Sequence, residues 1–410
     1  MAKLFIEDLD LKGKRALIRV DFNVPIKDGV VESDKRIRAA LPTIKYALDK
    51  GASVILMSHL GRPNGEVNAK YTLAPVAKKL EELLGKKVEF LNDCVGAEVE
   101  AKTAAAKPGD VILLENLRFH IEEEGSKKDA NKNKIKADKA DIEKFCASLS
   151  KLGDVFINDA FGTAHRAHAS MVGVNLKRAC GYLLKKELDF LGEAVNNPVR
   201  PFVAIIGGAK ISGKIDVVNA LLPKVDELII GGGMVYTFRK AQGYEIGNSL
   251  CEDDKLELAK ELMEKANGKI RLSIDFLIAD NFNYDARTLG NTKFVDYDKI
   301  PAGWEGCDIG PKTIEKFVNV VKKAKTVVWN GPMGVFEIDE SAKGTFAIAE
   351  ALAEATAKGA TTIIGGGDSV SAIEKAGLED KVSHVSTGGG ASLEFLEGKE
   401  LPGVVALSDK

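Results

Sequence analysis

The stretch Phe202-Val203-Ala204-Ile205-Ile206-Gly207-Gly208-Ala209-Lys210 joins a short apolar run to a glycine-rich polar turn. Such a run, rich in β-branched residues and ended by glycine, is typical of a strand buried on both faces of a parallel sheet. Similar runs recur along the chain and alternate with longer helical patterns. This alternation predicts an α/β protein with doubly wound, Rossmann-like parallel sheets.

The predicted strands form two sets of similar size. The first set comprises residues 16–20, 53–57, 88–90, 111–114 and 155–157. The second set comprises residues 202–206, 227–230, 274–278, 326–329, 361–364 and 384–386. A charged, apolar-poor stretch at 122–141 interrupts the first set, and we interpret it as a solvated insertion that forms an exposed loop or a ragged helix.

A chain of 410 residues is too long for one ordinary core, so we expect two domains. The amphipathic segment 185–195 predicts a helix between them, and Pro198 and Pro201 prevent this helix from continuing. The apolar residues of the tail 397–410 should be buried. The predicted parts are an N-terminal domain (1–184), a hinge helix with its linker (185–200) and a C-terminal domain (201–396).

Composition excludes several classes of partner. A formal net charge of −2 offers no overall attraction for nucleic acid or for an anionic membrane. The sequence contains no run of about 18 apolar residues that would span a bilayer, and its first residues do not resemble a secretion signal. Its five cysteines are dispersed, which argues against a disulfide framework or a zinc site and predicts a cytoplasmic location.

Polar or glycine-rich clusters follow nearly every predicted strand. Ligands of open α/β sheets bind at the carboxyl ends of the strands. Two sets of clusters therefore predict two ligand sites, one in each domain, that face a shared cleft.

The clusters of the first half are basic. Arginine is scarce relative to lysine, yet it recurs at these turns. Its guanidinium can donate two parallel hydrogen bonds to a phosphate or a carboxylate group. Each arginine taken singly could equally cap a loop or pair with an aspartate, but their repetition at successive strand ends favours an anion site. Most of the histidines lie at the same turns, and for His165 and His168 we favour anion contact or structural hydrogen bonding over metal binding.

The clusters of the second half are rich in glycine. They include Gly207-Gly208, Gly231-Gly232-Gly233, Gly365-Gly366-Gly367 and Gly388-Gly389-Gly390. Glycine at a strand-to-helix turn lets backbone N–H groups approach phosphate oxygens, although a single cluster could simply make a tight turn. Several clusters in one domain predict a nucleotide site.

The segment Gly208-x-x-x-x-Gly213-Lys214 nearly spells a phosphate-binding P-loop, but Ile215 stands where a magnesium-binding Ser or Thr is needed. We therefore reject a P-loop. Lys210 and Lys214, four residues apart, are expected on one face of the following helix, one near the transferred phosphate and the other near a nucleotide phosphate. Asp368 is either a ligand of phosphate-bound Mg²⁺ or a plain helix N-cap.

Several segments resemble signatures of the phosphoglycerate kinase family, and the resemblance runs from about residue 3 to residue 410. The matching segments are Arg19-Val20-Asp21-Phe22-Asn23-Val24-Pro25, Ser58-His59-Leu60-Gly61-Arg62-Pro63, Gly207-Gly208-Ala209-Lys210, Trp329-Asn330-Gly331-Pro332 and Gly365-Gly366-Gly367-Asp368. The family transfers a phosphoryl group reversibly between ATP and 3-phosphoglycerate, giving ADP and 1,3-bisphosphoglycerate, with Mg²⁺. The resemblance implies such an enzyme, expected as a monomer whose last residues fold back onto the N-terminal domain.

The resemblance also implies roles for individual residues. The residues that would hold 3-phosphoglycerate are Asp21, Asn23, Arg36, His59, Arg62, Arg118 and Arg166. Arg36 and Lys210 would be catalytic and steady the transferring phosphoryl group. The residues that would form the nucleotide site are Gly207, Gly208, Gly232, Asn330, Lys214, Glu337, Gly365, Gly366, Gly367, Asp368 and Ser369, with Glu337 on the ribose hydroxyls and Asp368 on the metal.

The chemistry is consistent with these roles. Phosphoryl transfer depends mainly on positioning and charge stabilisation. A carboxylate acceptor is already ionised at neutral pH, so no general base is required. Closure of two domains would exclude water and protect the acyl phosphate from hydrolysis.

Two other classes of protein fit the sequence less well. A two-domain oxidoreductase would carry the Gly-x-Gly-x-x-Gly fingerprint, which the sequence lacks. A non-catalytic, two-lobed solute-binding protein would carry a secretion signal and would not need Lys210 and Lys214 opposite an arginine cluster.

Overall fold

The apolar run that precedes the first glycine pair forms the strand Phe202–Ile206 in a computed structural model, which describes residues 2–410. Every residue of this strand is buried. It pairs in parallel with Glu227–Ile230 on one side and with Thr326–Asn330 on the other. Because both faces of the strand are covered, its sequence is apolar throughout and does not alternate.

Six parallel strands make up the sheet to which this strand belongs. Their order across the sheet is Ile270–Arg271, Glu227–Ile230, Phe202–Ile206, Thr326–Asn330, Thr361–Gly365 and His384–Val385. The α-helices that alternate with these strands are Ile215–Leu221, Met234–Ala241, Leu256–Ala266, Pro311–Lys323, Lys343–Ala357, Gly367–Lys375 and Gly389–Leu396. The prediction of doubly wound parallel sheets is confirmed.

A second parallel sheet of six strands is built from the first half of the chain. Its order is Arg178–Cys180, Val155–Asn158, Arg15–Arg19, Ser53–Met57, Val111–Leu113 and Glu89–Phe90. The accompanying α-helices are Lys35–Asp49, Ala74–Leu84, Ala97–Ala104, Ile121–Glu124 and Lys139–Ser150. The edge strand Arg178–Cys180 was not predicted, because it is short and ends in a glycine-containing turn.

Local sequence explains several helix ends. The helix Ala74–Leu84 has proline in its first turn, and Gly85 ends it in the left-handed conformation at φ 63°. The Asp138 side chain accepts the Ala140 N–H at the start of Lys139–Ser150. Among residues 2–410, no helix is long and apolar enough to cross a membrane.

The chain packs as two units. The first runs up to Leu188 and includes Glu400–Lys410, and the second is Asp189–Lys399. The boundary falls within the helix Tyr182–Asn196, which ends shortly before Pro198. The segment 185–195 is therefore helical, as predicted.

The tail packs within the first unit. Leu401 and Leu407 are buried, as expected, whereas Val405 is 52% exposed because it lies on the outer side of the short helix Pro402–Val405. The Gly403 N–H donates to the Ala164 carbonyl at 2.8 Å.

The prediction assigned one strand to the wrong sheet. Residues 274–278 were expected to extend the parallel sheet, but Asp275–Ala279 pairs antiparallel with Thr292–Asp296 and with Glu305–Ile309. The strand is buried throughout, and complete burial resembles a parallel strand in sequence. The direction of its neighbours depends on contacts that are distant in the chain.

The charged stretch 122–141 is more ordered than predicted. It continues the helix Ile121–Glu124 into an antiparallel hairpin of Ser126–Lys128 and Lys134–Lys136. The interpretation as a solvated insertion is wrong for Glu123, which is only 1% exposed. Basic and hydroxyl groups of the first unit surround this carboxylate, and the sequence of the stretch does not reveal them.

Candidate active site

The polar clusters of the first unit lie along one edge of its sheet. Val155–Asn158, Arg15–Arg19, Ser53–Met57 and Val111–Leu113 are consecutive neighbours in the sheet and run in the same direction. The loops that leave their carboxyl ends therefore meet. These loops carry the predicted 3-phosphoglycerate residues Asp21, Asn23, His59, Arg62, Arg118 and Arg166.

Asn116 and Asn23 hold three of these loops together. The Asn116 side chain accepts the Leu60 N–H at 3.2 Å and donates to the Leu60 carbonyl at 2.7 Å. It also accepts the Arg118 N–H at 3.0 Å. Asn23 Oδ1 accepts the Gly61 N–H at 2.9 Å. Hydrogen bonds within the protein therefore join these loops, and the Asn23 side chain has a structural partner of its own.

Arg36 is held by an aspartate of the same site. It lies in the first turn of the helix Lys35–Asp49, and its Nη1 is 2.9 Å from Asp21 Oδ1. The side chain of Asp21 is 8% exposed and that of Arg36 is 36% exposed. The aspartate therefore orients a guanidinium that still faces solvent.

Arg118 is anchored, whereas Arg62 and Arg166 are open to solvent. Arg118 Nη1 donates to the Gly61 carbonyl at 2.8 Å, and burial lowers the pKa of its guanidinium. The positive charge of Arg62 lowers the pKa of Arg118, and that of Arg166 lowers the pKa of His168, so all these groups share one field. Glu124, Glu123 and Asp21 compensate part of the charge of Arg118. The exposed cations of Arg62 and Arg166 still favour a multiply charged anion.

Behind these residues lies a buried network around Arg19, which the sequence analysis did not single out as a site residue. Arg19 is fully buried, and its Nε donates to Ser170 Oγ at 2.8 Å. Its Nη2 lies 3.2 Å from His59 Nδ1 and 3.8 Å from Glu123 Oε1. Ser170 also donates to Glu123, from its N–H at 2.9 Å and from its hydroxyl at 2.6 Å. The network fixes the ring of His59 from behind.

Two histidines of this site are expected to stay neutral. Burial lowers the pKa of His59 well below its usual value, and Arg19 and Arg118 lower it further. Burial, and after it the same two arginines, lower the pKa of His168 to about 3. By contrast, burial lowers the pKa of His120, but its 2.7 Å contact with Asp93 outweighs this effect and the net pKa is raised.

We predict that a histidine NMR titration will place the midpoints of His59 and His168 well below 6.5 and the midpoint of His120 above 6.5. Unfolded histidine titrates near 6.5. The low folded pKa values therefore stabilise the protein above pH 6.5, and this contribution is lost as the pH falls below it. The substitution His120→Gln assigns the control resonance. A midpoint near 6.5 for either site histidine would contradict the prediction.

The second unit brings its glycine turns into direct backbone contact. A Cβ on Gly207 would overlap the Pro332 carbonyl oxygen, and a Cβ on Gly331 would overlap that of Gly207. Gly232, at φ +70°, lies against the backbone of Gly208. Backbone hydrogen bonds join these turns, including Gly207 N–H to the Asn330 carbonyl at 2.9 Å. Only glycine permits this approach.

Lys214 and Asn330 form the polar centre of this region. Lys214 Nζ donates to Asn330 Oδ1, and Asn330 is 1% exposed. Asn330 Nδ2 is buried and has no hydrogen-bond partner among the described residues. Burial lowers the pKa of Lys214, an effect opposed by the carboxylates of Asp368 and Glu397. A buried donor beside a lysine is suited to an oxygen-rich ligand.

The two lysines do not share a helix face, so that prediction is wrong. The helix begins at Ile215 with Lys214 as its N-cap, and Lys210 lies in the preceding turn. Glu252 accepts the Ser212 N–H at 3.0 Å and so holds the segment between the two lysines. The exposed Lys210 therefore lies on the loop that precedes the helix.

The loop Gly365–Gly367 begins the helix Gly367–Lys375. Gly366, at φ +86°, is the N-cap, so Asp368 is not the cap but the second residue of the helix. Asp368 is exposed in the first turn, where a carboxylate is available to a cation. Ser369 is fully buried and its hydroxyl accepts the Gly331 N–H. Its side chain therefore ties two loops together.

Glu337 is partly exposed after the strand Thr326–Asn330 and its turn. Tyr284 donates its hydroxyl to Glu337 Oε1 at 3.1 Å. Sequence reasoning missed Tyr284 because no motif or period marks it. Glu123 and Ser170 were missed for the same reason, whereas the strand-end position of Arg19 was a usable signal.

The fold, with arginines at the strand ends of one unit and glycine turns at those of the other, is the arrangement expected of an α/β phosphotransferase. The family model of phosphoglycerate kinase matches residues 6–399. The chain belongs to the phosphoglycerate kinase family, and it is a kinase and a glycolytic transferase.

Individual relatives agree along the whole chain. The phosphoglycerate kinase of Schistosoma mansoni is 59% identical over 415 residues, covering 100% of this chain and 99% of its own. That of Saccharomyces cerevisiae is 58% identical over 416 residues, with the same coverage. Among solved structures, the Coxiella burnetii enzyme has a TM-score of 0.84 at 41% identity, and the Pyrococcus horikoshii enzyme 0.81 at 33%. Each covers 98% of both chains.

Proposed function

We propose that the first unit binds 3-phosphoglycerate and the second binds ATP or ADP. The observation that carries this assignment is the contrast between the two strand-end sites. One is a field of arginines around Arg118, and the other is a set of packed glycine turns around Lys214 and Asn330. Arginine forks suit the phosphate and carboxylate of a small acid. Glycine turns suit the close approach of a nucleotide phosphate chain.

Within the first unit, Arg62, Arg118 and Arg166 bind the phosphate and carboxylate of 3-phosphoglycerate. Asp21, Asn23 and neutral His59 contact its polar groups and hold the loops in place. Because its pKa is lowered, His59 acts through hydrogen bonding and not through charge.

Within the second unit, Gly207, Gly208 and Gly232 line the nucleotide site with backbone, and Glu337 accepts from the ribose hydroxyls. Lys214 and the buried Asn330 Nδ2 donate to nucleotide phosphate oxygens. The Gly365–Ser369 loop presents backbone N–H groups from the first turn of its helix.

Asp368 would hold Mg²⁺, which when bound neutralises charge on the nucleotide phosphates. Its exposed carboxylate is a hard oxygen ligand of the kind that this ion prefers. It lies close enough to Lys214 to oppose the lowering of that residue's pKa by burial. Arg36 and Lys210 steady the oxygens of the group in transfer.

In the transfer itself, an oxygen of the ionised 3-phosphoglycerate carboxylate attacks the γ-phosphorus of ATP. The bond from that phosphorus to the β-bridging oxygen breaks, which leaves ADP and 1,3-bisphosphoglycerate. No proton needs to be removed from the carboxylate. The protein's task is positioning, charge stabilisation and exclusion of water.

A coupled assay with ATP, Mg²⁺ and 3-phosphoglycerate tests this function. We expect turnover that depends on all three components and stops on addition of a chelator. Asp368→Asn should raise the Mg²⁺ concentration at half-maximal rate by about tenfold, following the size of losses seen around metal sites. The exposed Asp380→Asn is the matched control. Unchanged Mg²⁺ dependence in Asp368→Asn would refute the metal assignment.

Catalysis also requires the two substrates to meet. The reacting atoms must come within about 3–3.5 Å. We propose a monomeric, cytoplasmic enzyme that closes about hinges at residues 185–200 and 391–396, where the chain passes between the proposed domains 1–184 and 201–396.

We predict that 3-phosphoglycerate together with a non-hydrolysable ATP analogue reduces the radius of gyration in small-angle X-ray scattering. The reduction should exceed that caused by either ligand alone, because the two ligands together favour the closed form over the open form more strongly than one ligand does. The single-ligand samples are the controls. An unchanged scattering curve with both ligands bound would exclude the closure, and a doubled mass in sedimentation would exclude the monomer.

A further inference from the structure

Tyr284 lies on a hairpin that reaches the ribose-binding end of the proposed nucleotide site. The hairpin pairs Phe282–Asn283 with Thr288–Leu289. Asn283 accepts the Ala286 N–H at 2.9 Å, and Arg287 completes the turn at φ 52°. Tyr284 is 57% exposed, yet its hydroxyl donates to Glu337 Oε1 at 3.1 Å. The partners are 53 residues apart in sequence.

The backbone around Glu337 is held independently of this contact. Ser341 Oγ donates to the Val335 carbonyl at 2.7 Å, and Lys375 Nζ donates to the Phe336 carbonyl at 3.2 Å. These bonds fix the loop but leave the carboxylate to be oriented by its own contacts. A glutamate side chain loses rotamer freedom when it is held, so a second contact matters for its orientation.

A carboxylate can accept from Tyr284 and from a ligand at the same time. Its two oxygens offer about four lone-pair sites. With Oε1 shared by the phenol, acceptor positions remain for the hydroxyl groups of a ribose. Thr292 Oγ1 also donates to Glu340 Oε1, which ties the strand after the hairpin to the segment after Glu337. The hairpin and the strand that follows it are therefore each joined to this segment by one side-chain hydrogen bond.

We propose that Tyr284 is a positioning residue that orients the Glu337 carboxylate for ribose hydroxyls and thereby sets the preference for ribonucleotides over deoxyribonucleotides. The proposal rests on the role of Glu337 in the proposed function. Tyr284 acts through Glu337 and touches no reacting atom, so it should affect nucleotide KM and ribose selectivity without affecting kcat.

The test measures kcat and KM of the full-length enzyme for Mg-ATP and for Mg-2′-deoxy-ATP, at saturating 3-phosphoglycerate. Tyr284→Phe should raise KM for ATP about fivefold, the usual worth of one hydrogen bond. It should leave kcat unchanged and should raise KM for 2′-deoxy-ATP by a smaller factor. The ratio of kcat/KM for ATP to kcat/KM for 2′-deoxy-ATP should therefore fall. Tyr297→Phe is the matched control, because Tyr297 packs against Tyr244 and should leave the ratio unchanged.

A second variant separates this proposal from the function on which it rests. Glu337→Gln should lower the same ratio at least as much as Tyr284→Phe. If Glu337→Gln leaves the ratio unchanged, the ribose role of Glu337 fails. If Glu337→Gln lowers the ratio and Tyr284→Phe leaves it unchanged or raises it, Tyr284 is neutral or competes with ribose, and the positioning role alone is overturned.

Discussion

Lys210→Ala is expected to lower kcat by about 10³-fold or more, while KM for each substrate changes by less than about tenfold. A cation that acts mainly on the transferring group is worth about 10³–10⁵ in rate in related phosphoryl transfers. Lys210 is exposed on a loop, so its truncation should leave the fold intact and the kinetic change should report on the reaction. Steady-state kinetics of the folded variant measure both parameters.

Arg36 should behave in the same way, with one structural complication. Arg36→Ala would leave Asp21 without its 2.9 Å partner, so the kinetic effect would mix with a loss of order. Arg36→Lys keeps the positive charge but loses the paired N–H donors of the guanidinium. We expect this variant to retain the fold and to have a reduced kcat. Lys224→Ala, which removes a lysine after the helix Ile215–Leu221, is a control for loss of charge in the second unit. A defect confined to KM in Lys210→Ala and Arg36→Lys would show that both residues only bind ground states.

Gly207→Ala is expected to lower the free energy of unfolding by about 3 kcal/mol or more, the upper range for overpacking. The added methyl would overlap the carbonyl oxygens of Pro332 and Gly331, which are backbone atoms and cannot swing aside. Separation of these turns would also disturb Asn330, whose carbonyl accepts the Gly207 N–H. Nucleotide affinity should therefore fall with stability.

Gly367→Ala is the matched control for this prediction. A Cβ on Gly367 meets nothing within 4 Å, and its φ is not positive. Alanine at this position should therefore raise the free energy of unfolding by about 0.4–1 kcal/mol, because it lowers the conformational entropy of the unfolded chain. Chemical denaturation should therefore show that the free energy of unfolding falls in Gly207→Ala and rises in Gly367→Ala. Equal stability of Gly207→Ala and the wild type would mean that the turns can part at little cost.

Much of the framework was predictable from local sequence. The strands at residues 202–206 and 227–230 were predicted to the residue. A short apolar run bounded by polar turns is typical of a buried strand. The parallel topology then placed the polar residues that follow those runs on one edge of each sheet. This reasoning alone grouped Arg62, Arg118 and Arg166 with His59.

Other features depend on contacts between distant segments. Glu123 belongs to a run of three glutamates that reads as a solvated surface, but Arg19 and Ser170 surround it from segments far away in the chain. The segment Asp275–Ala279 carries the apolar pattern of a parallel strand, and its antiparallel neighbours reverse that interpretation.

The sequence by itself determined the alternation of strands and helices, the two sets of strand-end clusters and the chemical contrast between arginine and glycine. These depend on burial and turn geometry, which are properties of short segments. Only the tertiary structure decided that Ser369 joins two loops, that Lys214 occupies the N-cap position of a helix while Lys210 precedes it, and that Tyr284 donates a hydrogen bond to Glu337. Each of these depends on which distant groups the folded chain brings within hydrogen-bonding distance, and a local pattern carries no record of that pairing.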